Sequence, residues 1–295
     1  MTDMLELSTL LGAYPVTAAL KSGAVSSPHV RLAFADVARP ATAFKSVVRD
    51  LAFEVAELAI MTFLMAKAYD KPLVLLPAVV LSRFQHPYIV YNRERGTLAP
   101  REIEGRRVGI RAYSVTTVTW IRGILAEDYG VDLGRVRWVS FEEPHVAEFR
   151  DPPNVERAAE GAGMLDMLLA GEIDAAVVAD AKLADPRLAH LIPHADEAAQ
   201  AWHRRTGAIQ INHMVTVRAD VSREHPQAVR EVYRMLHESR ARAPATASDG
   251  VDLYPFGAAR NRRNLEVAID YAWRQKLLPR KLAVDELYDE VTGAL

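Results

Sequence analysis

Apolar positions along the chain follow two periods in turn. Residues 4–10 carry a short run suited to a strand, closed by a turn at Gly12-Ala13-Tyr14-Pro15. The spacing then predicts a helix over 16–22 that Gly23 stops, a strand over 30–35, a short helix over 42–48 and a strand fragment over 51–53. Positions 55, 58, 59, 62 and 63 line one face of a helix expected over 54–69, which Lys71-Pro72 breaks. Residues 73–80 are a continuous apolar run of strand length, as in a strand covered on both faces of a parallel sheet, and 88–91 is another strand. A polar, proline-containing stretch at 95–105 reads as a lobe boundary, after which the alternation restarts. Strands are expected over 107–110, 137–140, 175–178 (ending in Asp180) and 209–217. The matching helices are 116–129 ending at Gly130, one within 154–169 stopped near Gly171, and then 226–239, 262–275 and 284–291. Strands alternating with helices in two series argue for α/β layers with right-handed crossovers, arranged in two lobes.

Composition trims the choices. A chain of 295 residues is long enough for two cores, and its formal net charge of −2 gives no global attraction to nucleic acid or anionic lipid. There are no cysteines, which removes thiol nucleophiles, disulfides and thiolate metal sites; no histidine-rich metal spacing appears, so no structural zinc is expected. The expectation is no metal and no cofactor. Residues 1–11 carry Asp3 and Glu6 but no Lys or Arg, unlike a secretory leader, so a cytoplasmic protein is expected. The apolar stretch at 51–66 contains Glu54 and Glu57 and is too short to span a bilayer, so no membrane insertion is expected. Phosphate loops, zinc-protease helices and nucleophile elbows are absent, and oligomeric state is not readable.

The order of five motifs carries a resemblance. These are Phe84-Gln85-His86-Pro87, Gly109-Ile110-Arg111-Ala112-Tyr113-Ser114, Thr119-Trp120-Ile121-Arg122-Gly123-Ile124-Leu125, Ile211-Asn212-His213-Met214-Val215 and Gln275-Lys276-Leu277-Leu278-Pro279-Arg280. Together they resemble the 4,5-dihydroxyphthalate decarboxylase family, over about residues 7–287. The resemblance implies a two-lobed type II periplasmic-binding-protein-like α/β fold with a ligand cleft between the lobes. The first lobe would be 1–88 plus 214–295 and the second 89–213, hinged near 88–91 and 212–215.

Several residues could carry chemistry. A strand ending at Ile110 and a helix starting near Thr116 place amide donors at the turn, where Tyr113 and the hydroxyls of Ser114, Thr116 and Thr117 could bind a carboxylate; the plainer reading is that Ser114 or Thr116 caps the helix. Arg83, Arg111 and Arg122 are candidate bidentate carboxylate clamps, against salt bridges as the alternative, with Arg83 preferred beside His86. His86 and His213 flank the expected hinge and can move a proton near neutral pH; each could instead be tied to backbone carbonyls. His145 is a third candidate. Glu54 would open a helix, complement its dipole and reach ligand hydroxyls, while Glu57 reads as a solvated or packing residue. Trp120 and Trp202 are core residues or stacking platforms.

Two functions compete. One is non-oxidative decarboxylation of a hydroxylated aromatic dicarboxylate such as 4,5-dihydroxyphthalate, with His86, or else His213, as proton donor. The other is a non-catalytic binding protein for a small carboxylate, of the kind that serves an ABC transporter. The missing leader favours the enzyme, and the fold favours the binder.

Overall fold

The computed structural model describes residues 4–179, 184–244, 247–248 and 250–295; the expected strand end at Asp180 lies outside them. The chain divides into two compact units, Met1–Arg83 with Ile209–Leu295, and Phe84–Ala208. Both divisions fall earlier than the resemblance implied, so His86 lies in the second unit and His213 in the first.

The first unit is a five-stranded sheet in the order β2 (Val30–Phe34), β1 (Leu5–Leu10), β3 (Val55–Ala59), β11 (Ile211–Arg218), β4 (Leu73–Ser82). β1 (Leu5–Leu10) pairs in parallel with β2 (Val30–Phe34) on one side and β3 (Val55–Ala59) on the other. β4 (Leu73–Ser82) follows helix α3 (Ile60–Ala68); the short helices α1 (Ala18–Lys21) and α2 (Phe44–Arg49) lie earlier in the chain. The helix expected over 54–69 is therefore wrong in its first third. Val55–Ala59 is buried at every position between two neighbouring strands, and that pairing overrides the helical spacing of its apolar residues. Residues 51–53 form no strand, and Leu51 takes a left-handed φ of 52°.

The second unit is a six-stranded sheet in the order β10-β5-β9-β6-β7-β8. Its strands are β5 (Ile89–Asn92), β6 (Arg107–Ile110), β7 (Arg137–Ser140), β8 (Val155–Arg157), β9 (Ala175–Val177) and β10 (Leu188–His190). β9, β6, β7 and β8 run parallel, and β5 joins β9 and β10 antiparallel. α4 (Thr116–Tyr129) has the expected bounds and ends on Gly130 in the left-handed conformation. α5 (Met164–Ala170) is shorter than its pattern suggested, because 155–157 is strand. α6 (Ala195–Thr206) was not expected from the sequence.

The chain then returns to the first unit. β11 (Ile211–Arg218) inserts antiparallel between β3 and β4, so the apolar run at β4 is not part of a purely parallel sheet. α7 (Ala219–Glu224), α8 (Pro226–Ala241) and α9 (Ala258–Arg274) follow. The helix expected over 284–291 is a single 3₁₀ turn, Val284–Leu287. No helix among the described residues is long and apolar enough to cross a membrane.

Packing in the second unit leaves no room for a side chain at Gly109 on β6. A Cβ there would lie 2.6 Å from Ile173 Cδ1 and 3.0 Å from Met164 Cγ, where α5 and the turn before β9 cover the strand. We expect Gly109→Val to destabilise the protein by about 1–3 kcal/mol through overpacking. Urea denaturation of the full chain checks this, and an unchanged midpoint would contradict it.

Candidate functional site

In the first unit β1 has parallel partners on both sides, reached by connections that run in opposite directions; ligands of open α/β sheets bind outside the carboxyl ends of the strands at such a switch point. The carboxyl ends of β1, β3 and β4 lie at one end of this sheet, because β3 and β4 are both antiparallel to β11. Gly12 and Tyr14 after β1, Arg83 after β4 and His213 near the start of β11 stand at that end, and Glu57 lies at the middle of β3.

Glu57 is fully buried. Its Oε1 accepts from the Tyr14 hydroxyl at 2.6 Å and from His213 Nδ1 at 2.8 Å, and its Oε2 accepts from the Gly12 backbone N–H. A buried carboxylate is tolerable only when paired and hydrogen-bonded, and these three donors meet that need. Burial, then the Glu57 charge and the bond to it, push the Tyr14 hydroxyl well above its ordinary range, so it stays a donor. Phe44 meets the His213 ring edge to face, centroids 5.1 Å apart, while the imidazole keeps some solvent contact. Arg83 donates its backbone N–H to Gln210 O at 3.4 Å, and its positive charge opposes the upward push that burial gives the Tyr254 hydroxyl.

Glu54 does not open a helix. Its Oε2 accepts from the Ser8 N–H at 2.8 Å and the Ser8 hydroxyl at 3.1 Å, which ties the start of β3 to β1. With no helix behind it, Glu54 complements no helix dipole, and its carboxylate is occupied within the sheet.

In the second unit β6 likewise has parallel partners on both sides, and the loop after it holds Arg111, Tyr113 and Ser114. Neither Ser114 nor Thr116 caps α4. The N-cap is Val115, which has no side-chain acceptor, so the first-turn amides of α4 begin without a cap; Ser114 and Thr116 are buried and Thr117 is half-buried. Arg111 lies 3.7 Å from Glu142 in a half-exposed ion pair, worth at most about 1 kcal/mol. Arg122 is no surface clamp: it is fully buried, its guanidinium 3.4 Å from the centre of the Tyr113 ring, and burial lowers its pKa to about 10. Tyr113 stacks in turn on Phe149 at 6.4 Å, so Arg122 supports the loop from beneath.

His86, the first choice from sequence, is fully buried, and neither ring nitrogen has a hydrogen-bond partner among the described residues. It packs edge-on to Trp202, which packs edge-on to Trp120, so both tryptophans are core residues. Burial, then the charge of Arg205, lowers the His86 pKa to about 4. Arg83 and His86, expected to act from one segment, fall in different units.

Gly12, Tyr14 and Glu57 were not expected at the site from sequence. The signal was a lone carboxylate inside the apolar run Val55-Ala56-Glu57-Leu58-Ala59, which identifies a buried acid once the segment is read as strand. Gly12 is required by close approach: a Cβ would come within 2.6 Å of Tyr14 Cζ. Among the described residues no group of three or more His, Asp or Glu could hold a metal ion.

No protein-family model matches the chain. It is 25% identical to a 4,5-dihydroxyphthalate decarboxylase from Comamonas testosteroni, over 96% of each sequence. A protein of the same name from Pseudomonas putida is 27% identical over 68% of this chain and 83% of its own. The resemblance read from the motifs is thus matched along nearly the whole chain. Among solved structures the chain is similar to the periplasmic aliphatic sulphonate binding protein SsuA from Escherichia coli, with a TM-score of 0.60 at 12% identity over 98% and 93% of the two chains. It is also similar to the desulfurization enzyme DSZB, with a TM-score of 0.52 at 13% identity over 98% of both. The chain therefore has the two-lobed α/β fold of the SsuA-type periplasmic binding proteins.

The buried state of His86 sets a pH dependence. The unfolded chain takes up a proton at this residue below about pH 6.5, the folded chain only near pH 4. The unfolded state binds more protons across that window, so stability falls as pH drops from 6.5 towards 4, by roughly 3 kcal/mol in total from this group. His86→Leu should lose less stability than the unsubstituted protein between pH 7 and pH 5 in denaturant titrations. Equal losses would show that the ring is not held neutral by burial.

Proposed function

We propose that this protein is a carboxy-lyase that removes carbon dioxide from a hydroxylated aromatic dicarboxylate such as 4,5-dihydroxyphthalate. The observation that carries the reading is the hydrogen-bonded chain from Tyr14 through Glu57 to His213 at the carboxyl ends of the strands. An imidazole oriented through Nδ1 by a buried carboxylate, with its ring still reaching solvent, is what proton transfer to a bound molecule requires. The names of the two sequence relatives support the same chemistry.

His213, rather than His86, is the proton donor in this proposal. A ring at pKa about 4 in the core is neutral near pH 7 and cannot serve there as an imidazolium donor. In the substrate a hydroxyl para to the departing carboxylate pushes electron density onto the carbon that bears it. That carbon takes a proton from the His213 imidazolium, which leaves a ring cation that is stabilised by the hydroxyl. The carbon–carbon bond then breaks, its electron pair restores the aromatic ring and carbon dioxide leaves. One proton is consumed per turnover, and His213 regains it from solvent. Arg83 is assigned to hold a carboxylate, fixing orientation and charge. In the second unit Arg111, Tyr113, Ser114, Thr116, Thr117 and the uncapped start of α4 are assigned as anion contacts in their own right.

The fold shared with sulphonate-binding proteins favours a second reading, capture of a carboxylate without chemistry. Incubating the pure protein with 4,5-dihydroxyphthalate separates the two. The proposal expects 3,4-dihydroxybenzoate and carbon dioxide in equal amounts; tight binding with no product would leave only the binder. His213→Gln should lower turnover about 10²–10⁴-fold with binding largely kept, whereas His86→Gln should spare turnover per folded molecule. Arg83→Ala should weaken dicarboxylate binding by about 2–5 kcal/mol, measured by calorimetry, and unchanged affinity in the folded variant would remove Arg83 from the site.

A further inference from the structure

The β3–β11 register puts Glu57 and His213 on one face of the sheet. Val215 lies opposite Glu57 and His213 opposite Ala59, so the acid and the imidazole are diagonal neighbours two residues apart along the strands. A carboxylate can only accept, so the 2.8 Å contact assigns the proton to His213 Nδ1.

The loop after β1 is shaped around the same carboxylate. The Thr17 hydroxyl, fully buried, donates to Gly12 O at 2.7 Å and receives the Tyr14 N–H at 2.9 Å. This closes residues 12–17 into a turn whose backbone N–H at Gly12 and whose phenol at Tyr14 both point at Glu57. The absence of a Cβ at Gly12 leaves the space that the Tyr14 ring occupies over the loop. On the His213 side, the Phe44 edge contact restricts the ring plane.

We infer that Glu57 and Tyr14 are positioning residues that fix the His213 proton on Nδ1 and leave Nε2 to meet the reactant, Glu57 directly and Tyr14 by holding the carboxylate in place. This rests on the reading of His213 as proton donor. A carboxylate that merely tied the loop to the sheet would have no effect on the tautomer of His213, and that difference is measurable.

The test uses the full chain labelled with ¹⁵N-histidine, with the His213 signals among the nine histidines assigned by comparison with His213→Gln. The unsubstituted protein should show the neutral His213 ring protonated on Nδ1. Glu57→Met, similar in volume and without a carboxylate acceptor, should move the proton towards Nε2 while the other histidine signals stay in place. Turnover of 4,5-dihydroxyphthalate should then fall about 10²–10⁴-fold, with a smaller change in KM, as for an imidazole left in the wrong tautomer. Tyr14→Phe keeps the carboxylate and should lower kcat about tenfold with KM nearly unchanged, the effect of losing roughly one hydrogen bond's worth of positioning. An Nε2-protonated His213 in the unsubstituted protein overturns the inference even if Glu57→Met fails to fold, and so does a tautomer unmoved in a folded Glu57→Met. A Tyr14→Phe variant with full kcat removes Tyr14 from it. A protein that shows the Nδ1 form but makes no product from 4,5-dihydroxyphthalate leaves the orientation standing and removes the decarboxylase reading instead.

Discussion

Glu57 has no exposed surface and sits on an inner strand of a five-stranded sheet, and the polar contacts of the first unit's strand ends are arranged around that fact. Three donors reach its two oxygens: the Gly12 amide, the Tyr14 phenol and the His213 imidazole. They come from two other stretches of chain, so the carboxylate joins the loop after β1 and the start of β11 to β3. Removing one partner from such a buried ionic group costs far more than the interaction contributes net, because the remaining charge is left uncompensated. The same constraint explains the glycine at position 12, the phenol held as a donor and the imidazole with one nitrogen already engaged.

Much of the fold was legible. Length and periodicity placed β1, β4, β6, β7 and α4 close to where they lie, since each is a clear apolar run or a helix with a glycine stop. What failed was local. Val55, Leu58 and Ala59 satisfy a helical spacing as well as a buried strand, and only pairing with β1 and β11 decides between them. That one misreading hid the candidate site, because Glu57 in a helix is an ordinary surface acid. α6 was missed because Ala195–Thr206 is rich in polar residues and alanine, and only Ala195, Ala199 and Trp202 are buried. His86 and His213 each lie beside a strand crossing in sequence, and only the nearness of Arg83 ranked His86 first. Their environments separate them: burial against Trp202 for one, a carboxylate partner for the other.

A fold shared by a sulphonate-binding protein and a desulfurization enzyme does not decide between binding and catalysis. Capturing an anion asks for donors held still, which helix ends, hydroxyls and arginines supply. Acting on it asks in addition for a group that changes its protonation during the reaction. In the first unit the His213 imidazole is hydrogen-bonded to Glu57 and lies against the Phe44 ring, and the proposed proton transfer rests on that arrangement.

β11 lies between β3 and β4, yet it follows the whole second unit in the chain. During synthesis the second unit is a contiguous stretch whose strands are all present once residue 208 has emerged. β3 and β4 must wait for residues 211–218 before either gains its shared neighbour. Until then β4 is an apolar strand with no partner in its own sheet, open to wrong pairing. The last strand to arrive also delivers His213, so the sheet and its imidazole are completed by the same event.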